Sequence, residues 1–234
     1  LLFLLLSTYS VFGQYGHYKK QYEVFDWKVL QTQNLTVHYV DGQEYVAEFT
    51  AQNGENFIKS IRRELSLPFT AHLNLFVYGS HNTFQQTNVV GINISVSIKG
   101  LTEGYLNRVL LPFEGDYNYF RITIHHELVH AFLNQYFEQM ASFPMGRRYM
   151  PSWMNEGLAS YLSEGDLDCA SDMYARSYLL GNDSKLLEEE GGIARYNVGQ
   201  AFYTWLKHKE GDDIIGILVR QLATRSSIDA AFRS

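Results

Sequence analysis

From Asn34 to Val40 the chain reads NLTVHYV, alternating and rich in β-branched residues, which predicts a strand; Asp41-Gly42 supplies the turn that follows. The spacing then changes. Tyr45, Val46, Phe49, Phe57, Ile58, Ile61 and Leu65 recur at helical intervals and predict a helix from about Gln43 to Leu65. Leu73 to Tyr78 (LNLFVY) predicts a second strand, and Ile92 to Ile98 and Arg108 to Phe113 predict two more. After that the pattern is helical, over roughly 119–138, 153–163, 192–209, 212–223 and 226–233. Residues 14–33 are polar and aromatic with no clear period. A small sheet followed by a helical half is an α+β order. The chain has no internal repeat, no low-complexity tract and no Pro/Gly-rich linker.

Composition narrows the class. A length of 234 residues suits one domain with a sizeable core. Hydrophobic residues at 46% and charged residues at 19% describe a globular chain. With 17 Tyr and 15 Phe, packed aromatic clusters are expected. A formal charge of −6 argues against nucleic acid or an anionic membrane surface as partner. Leu1 to Leu6 form an apolar run far shorter than the ~20 residues of a membrane span. Residues 1–13 are instead expected to be the remnant of a signal peptide, cut after Gly13. Cys169 is the single cysteine, so an internal disulfide is excluded, which fits a bacterial periplasmic or secreted protein. The absent initiator Met, and an end at Ala230 to Ser234 without a helix terminator, lead to the expectation that the sequence is part of a longer protein.

The chemistry concentrates in two segments. Thr123 to Phe132 reads TIHHELVHAF and contains H-E-x-x-H. Residues four apart share a helix face, so His126 and His130 can present ring nitrogens to one ion. Glu127, turned by about 100° from His126, can reach a metal-bound water without ligating the metal. The neighbours Ile124, Leu128, Val129, Phe132 and Leu133 are apolar, so this helix should be buried. Two histidines and a glutamate there are costly unless they are paired or metal-bound. His125 points about 100° from His126 and is assigned to packing or to a hydrogen bond behind the ligands, not to the metal. The second segment, Pro151 to Tyr161, reads PSWMNEGLASY. A catalytic zinc takes three protein ligands and keeps an open position, and Glu156 on the following helix is placed to be the third. A metzincin arrangement fails, because the Gly and His it needs after His130 are Leu133 and Tyr136.

HHELVH, followed on a later helix by the glutamate of WMNEGLASY, resembles the gluzincin metallopeptidases. It is most similar to the peptidase MA-like domains of bacterial exported proteins and to the catalytic domain of the M1 aminopeptidases. The likeness extends more loosely over Tyr196 to Phe202, so the domain is expected to run over about residues 34–234. It implies a zincin-like fold with a mixed sheet above the active-site helix, Zn2+ as cofactor, and hydrolysis of peptide or protein substrates. It also implies that Tyr196 donates to the oxyanion, and that a β-propeller could follow the C-terminus. Two features depart from those relatives. The G-x-M-E-N motif of the aminopeptidases does not occur, and Ser160 stands where thermolysin-like enzymes have an Asp that orients a histidine. The strand Arg108 to Phe113 is a candidate edge for an added peptide strand. The alternative function is a non-catalytic zincin-like binding module, or a structural domain attached to the propeller.

Overall fold

The computed structural model describes residues 21–68, 70, 72–90, 94–104, 106, 108–140, 150–181, 192–225 and 227–232. The suggested signal remnant, residues 1–13, lies outside them. The fold is α+β: one five-stranded mixed sheet and, among the described residues, eight helices. The strands are β1 (Trp27–Gln31), β2 (Leu35–Val40), β3 (Leu73–Tyr78), β4 (Leu101–Glu103) and β5 (Arg108–Pro112). Their order across the sheet is β1-β2-β3-β5-β4. The two inner pairings, β2 with β3 and β3 with β5, are parallel, while β1 and β4 join antiparallel at the two edges.

The helices are α1 (Glu44–Leu65), α2 (His81–Phe84), α3 (Tyr117–Met140), α4 (Ser152–Glu164), α5 (Cys169–Leu180), α6 (Ala194–Glu210), α7 (Ile214–Thr224) and α8 (Ile228–Phe232). Alternation along β2, β3 and β5 turns Leu35, Val37, Leu73, Leu75, Val77, Val109 and Leu111 into one core, together with α1 and α3. Phe57, Ile58 and Ile61 of α1 and Ile124, Leu128 and Phe132 of α3 fill it. The opposite face carries a smaller aromatic cluster in which Tyr78, Phe84, Ile94 and Leu110 are buried and Phe25, Trp27 and Phe76 pack against them. No helix among the described residues is long and apolar enough to cross a membrane.

Three sequence expectations change. Residues 94–98 are loop and turn, not strand, and Ile92 with Asn93 lies outside the described residues. Ile94 and Ile98 do pack against the smaller cluster, but Val96 between them is 71% exposed, so the alternation does not mark a sheet face. The sheet begins at β1, within residues 14–33, where the sequence shows no clear period. Arg108–Pro112 is not an edge: β5 is paired on both sides, and the edge next to it is β4.

Candidate metal centre

Helix α3 starts on Asp116, whose Oδ1 accepts from the backbone N–H groups of Asn118 and Tyr119 at 2.8 and 3.1 Å. Apolar residues then surround it on most sides, so the helix is driven into the core and its motif face with it. Helix α4 packs against α3 through Met154 and Leu158, both fully buried, which turns Glu156 toward the two histidines.

The three donors meet. His126 Nε2 lies 3.1 Å from His130 Nε2, and Glu156 Oε2 lies 3.3 Å from the first and 3.2 Å from the second. These atoms form a near-equilateral triangle on the half-buried wall between α3 and α4, a grouping that could hold a metal ion. Burial alone would raise the Glu156 carboxyl, but bonding and charge from His126 and His130 outweigh it and hold it well below the usual carboxylate range. The reciprocal effect raises His130: burial works against its charge, but Glu156, the charge of Glu127 and Asn155 prevail.

Partners behind the donors set their orientation. Asn155 Oδ1 lies 3.3 Å from His130 Nδ1. An amide oxygen only accepts, so this bond places a proton on Nδ1 and turns Nε2 to the triangle, where it could ligate a metal on losing the proton it shares with Glu156. Asn155, on the same helix as Glu156, therefore orients one imidazole of the triangle. Glu127 is 8% exposed, and its Oε2 accepts from Thr102 Oγ1 of β4 at 2.5 Å. Gly100, just before β4, lets the chain pass: a Cβ there would stand 2.6 Å from Glu127 Oε1. Glu127 is thus wedged between α3 and the edge strand, and its charge acts on both His130 and Tyr196.

Tyr196, in the first turn of α6, brings its ring over His126, with centroids 6.1 Å apart. Burial and the Glu156 charge raise its pKa, and the adjacent Arg195 offsets part of that. Arg195 reaches both residues: Nη2 lies 3.1 Å from Tyr196 Oη and 3.7 Å from Glu156 Oε1. His125 is not in the group. It stacks on Phe57 at 4.2 Å, which is the packing role of the two that the sequence left open. Arg147, Arg148 and the acidic run Glu188 to Glu190 lie outside the described residues. Thr102 and Arg195 were not singled out from sequence. Thr102 carries no pattern of its own, and Arg195 sits in a polar stretch where a cation is ordinarily solvated.

No family model matches this chain, and no curated protein matches it either.

Proposed function

We propose that the chain is a zinc-dependent peptidase of gluzincin type, with His126, His130 and Glu156 as ligands and Glu127 as general base. The observation that carries this reading is the donor triangle. Its sides of 3.1, 3.3 and 3.2 Å are close to the edge of a tetrahedron with zinc–ligand bonds of about 2.0–2.1 Å, roughly 3.3–3.4 Å. Two imidazoles and one carboxylate are also the donor set of catalytic zinc sites that keep a fourth position open.

Zinc bound there would supply a Lewis acid that polarises a peptide carbonyl and makes water a nucleophile near neutral pH. The rest falls to the chain's own residues. Glu127 takes a proton from water as its oxygen bonds to the carbonyl carbon, and passes it to the amine nitrogen as the C–N bond breaks. Tyr196, whose ring lies over His126, donates its O–H to the oxygen that gains charge. The edge strand β4 touches Glu127 through Thr102, so an extended peptide adding to that edge would run past the base. A polypeptide suits this arrangement because its backbone can pair with β4, the last strand of the sheet among the described residues, while one carbonyl reaches the site.

The test is Glu127→Gln. This variant should bind zinc as the wild type does and lose peptide hydrolysis by about 10²–10⁴-fold. A purified wild type that takes up no zinc, or a Gln variant that cleaves at the wild-type rate, would remove the reading. Zinc uptake without cleavage of any peptide in a broad library would favour a binding module instead.

A further inference from the structure

We propose that Arg195 is a positioning residue that couples the third ligand, Glu156, to the hydroxyl of Tyr196; the inference rests on the peptidase reading and deepens it. Successive residues on a helix diverge by about 100°, so Arg195 and Tyr196 would not ordinarily share a face. Here the guanidinium folds back over its neighbour, 5.0 Å from the ring centroid. Nη2 then donates to Tyr196 Oη at 3.1 Å and stands 3.7 Å from Glu156 Oε1, while Nη1 reaches Ser152 Oγ at 3.4 Å. One rigid fork thereby ties the start of α6 to two positions one turn apart on α4.

The consequences follow from donor and acceptor inventories. The two oxygens of Glu156 are divided: Oε2 faces both histidines and Oε1 faces Arg195. A carboxylate held by a cation through one oxygen offers only the other, so Glu156 is set to ligate through Oε2 alone. At the tyrosine, an arginine can only donate, and a phenol has one proton. Tyr196 Oη therefore accepts from Arg195, and its own O–H must point elsewhere. Among the described residues no oxygen accepts that proton, which leaves it for a group entering the cleft. Arg195 thus does two things with one side chain: it fixes the ligand oxygen and it turns the phenol proton outward.

The experiment compares wild type, Arg195→Met, Arg195→Lys, Tyr196→Phe and the Arg195→Met/Tyr196→Phe double variant. Zinc affinity is measured by chelator competition, binding of a phosphinic peptide by calorimetry, and kcat and KM on a peptide that the wild type cleaves. Arg195→Met should weaken zinc binding by about 10- to 100-fold, as loss of a partner behind a ligand does, and Tyr196→Phe should leave it unchanged. Arg195→Met should also lower kcat and phosphinate affinity with little change in KM. At saturating zinc it should cost almost nothing more once Tyr196 is Phe. Arg195→Lys should recover zinc affinity in part, since it keeps the charge near Glu156. Unchanged zinc affinity in Arg195→Met, or equal losses of phosphinate affinity with and without the Tyr196 hydroxyl, would overturn the coupling. A wild type that binds zinc and phosphinate but cleaves nothing would remove the peptidase reading, while both affinities would still decide the role of Arg195. If Arg195→Met does not fold, Arg195→Gln is measured in its place.

Discussion

At the scale of single residues, His125 and His126 show how one helical step separates packing from chemistry. His126 joins the donor triangle, whereas His125 is 8% exposed, lies parallel to Phe57 within 4°, and has an Nε2 without a hydrogen-bond partner among the described residues. Burial, with the charges of Arg121 and His126, pushes the His125 pKa down to about 4. An unfolded histidine titrates near ~6.5, so between these values the unfolded state binds more protons and stability falls as pH drops. The His125 contribution is complete above the unfolded value and is lost on acidification toward the folded one. From pH 7 to pH 5 the loss amounts to about 2 kcal/mol. In urea unfolding of the metal-free protein, His125→Phe keeps a ring against Phe57 and should lose about 2 kcal/mol less than wild type over that interval. Equal losses in the two proteins would mean that His125 is not held neutral. His126, Glu127, His130 and Glu156 were legible because H-E-x-x-H has a fixed helical spacing and Glu156 sits in a readable amphipathic helix. Thr102, Asn155 and Arg195 were not, because their roles depend on where the fold puts β4 and α6 against those four.

At the scale of elements, the crossing of α4 and α6 sets the distance between Glu156 and Tyr196. Gly157 follows Glu156, and Gly199 lies one turn beyond Tyr196. A Cβ on Gly157 would stand 2.3 Å from the Gly199 backbone, and one on Gly199 would stand 2.1 Å from the Trp153 carbonyl oxygen. Backbone meets backbone there, and no side chain can yield. Alanine in place of a mid-helix glycine ordinarily stabilises by about 0.5–1 kcal/mol. At this crossing Gly157→Ala should instead destabilise by about 1–3 kcal/mol, read from urea unfolding, and lower kcat by moving Tyr196 off the donor triangle. A stabilised variant would mean the helices can part without cost. The same scale explains what the pattern missed. β4 has three residues, too few for a period, and β1 buries no residue fully, so its alternation is faint. In α5 only Ala175 is buried, so no apolar stripe marks the helix, although Asp168 caps it by accepting from Ser171 N–H at 2.7 Å. The long elements α1, α3 and β3 were readable because burial on one face, or on nearly every face, writes itself into many consecutive positions.

At the scale of the whole molecule, the question is whether the fold needs its metal. Small zinc domains unfold when chelated because the ion supplies most of their cohesion. Here α3 and α4 already share one core, in which Ile124, Leu128 and Phe132 lie with Met154 and Leu158 beneath the sheet. A metal between His126, His130 and Glu156 would add a link between two helices that are packed in any case. Its contribution is then the free energy of binding to the folded chain alone, about 2.7 kcal/mol when free zinc is 100-fold above Kd. For a domain of this size that corresponds to about 5–10 °C in Tm. Chelated protein should therefore keep its helical circular dichroism at 25 °C, melt about 5–10 °C below the zinc-loaded form, and recover on addition of zinc. His126→Ala should melt at one temperature with and without zinc, because two remaining donors hold the ion too weakly to favour the folded state. A wild-type Tm that ignores both chelator and zinc would leave the triangle as a hydrogen-bonded cluster and take the proposed hydrolysis with it. Complete unfolding on chelation would show that the core between α3 and α4 is weaker than its burial implies.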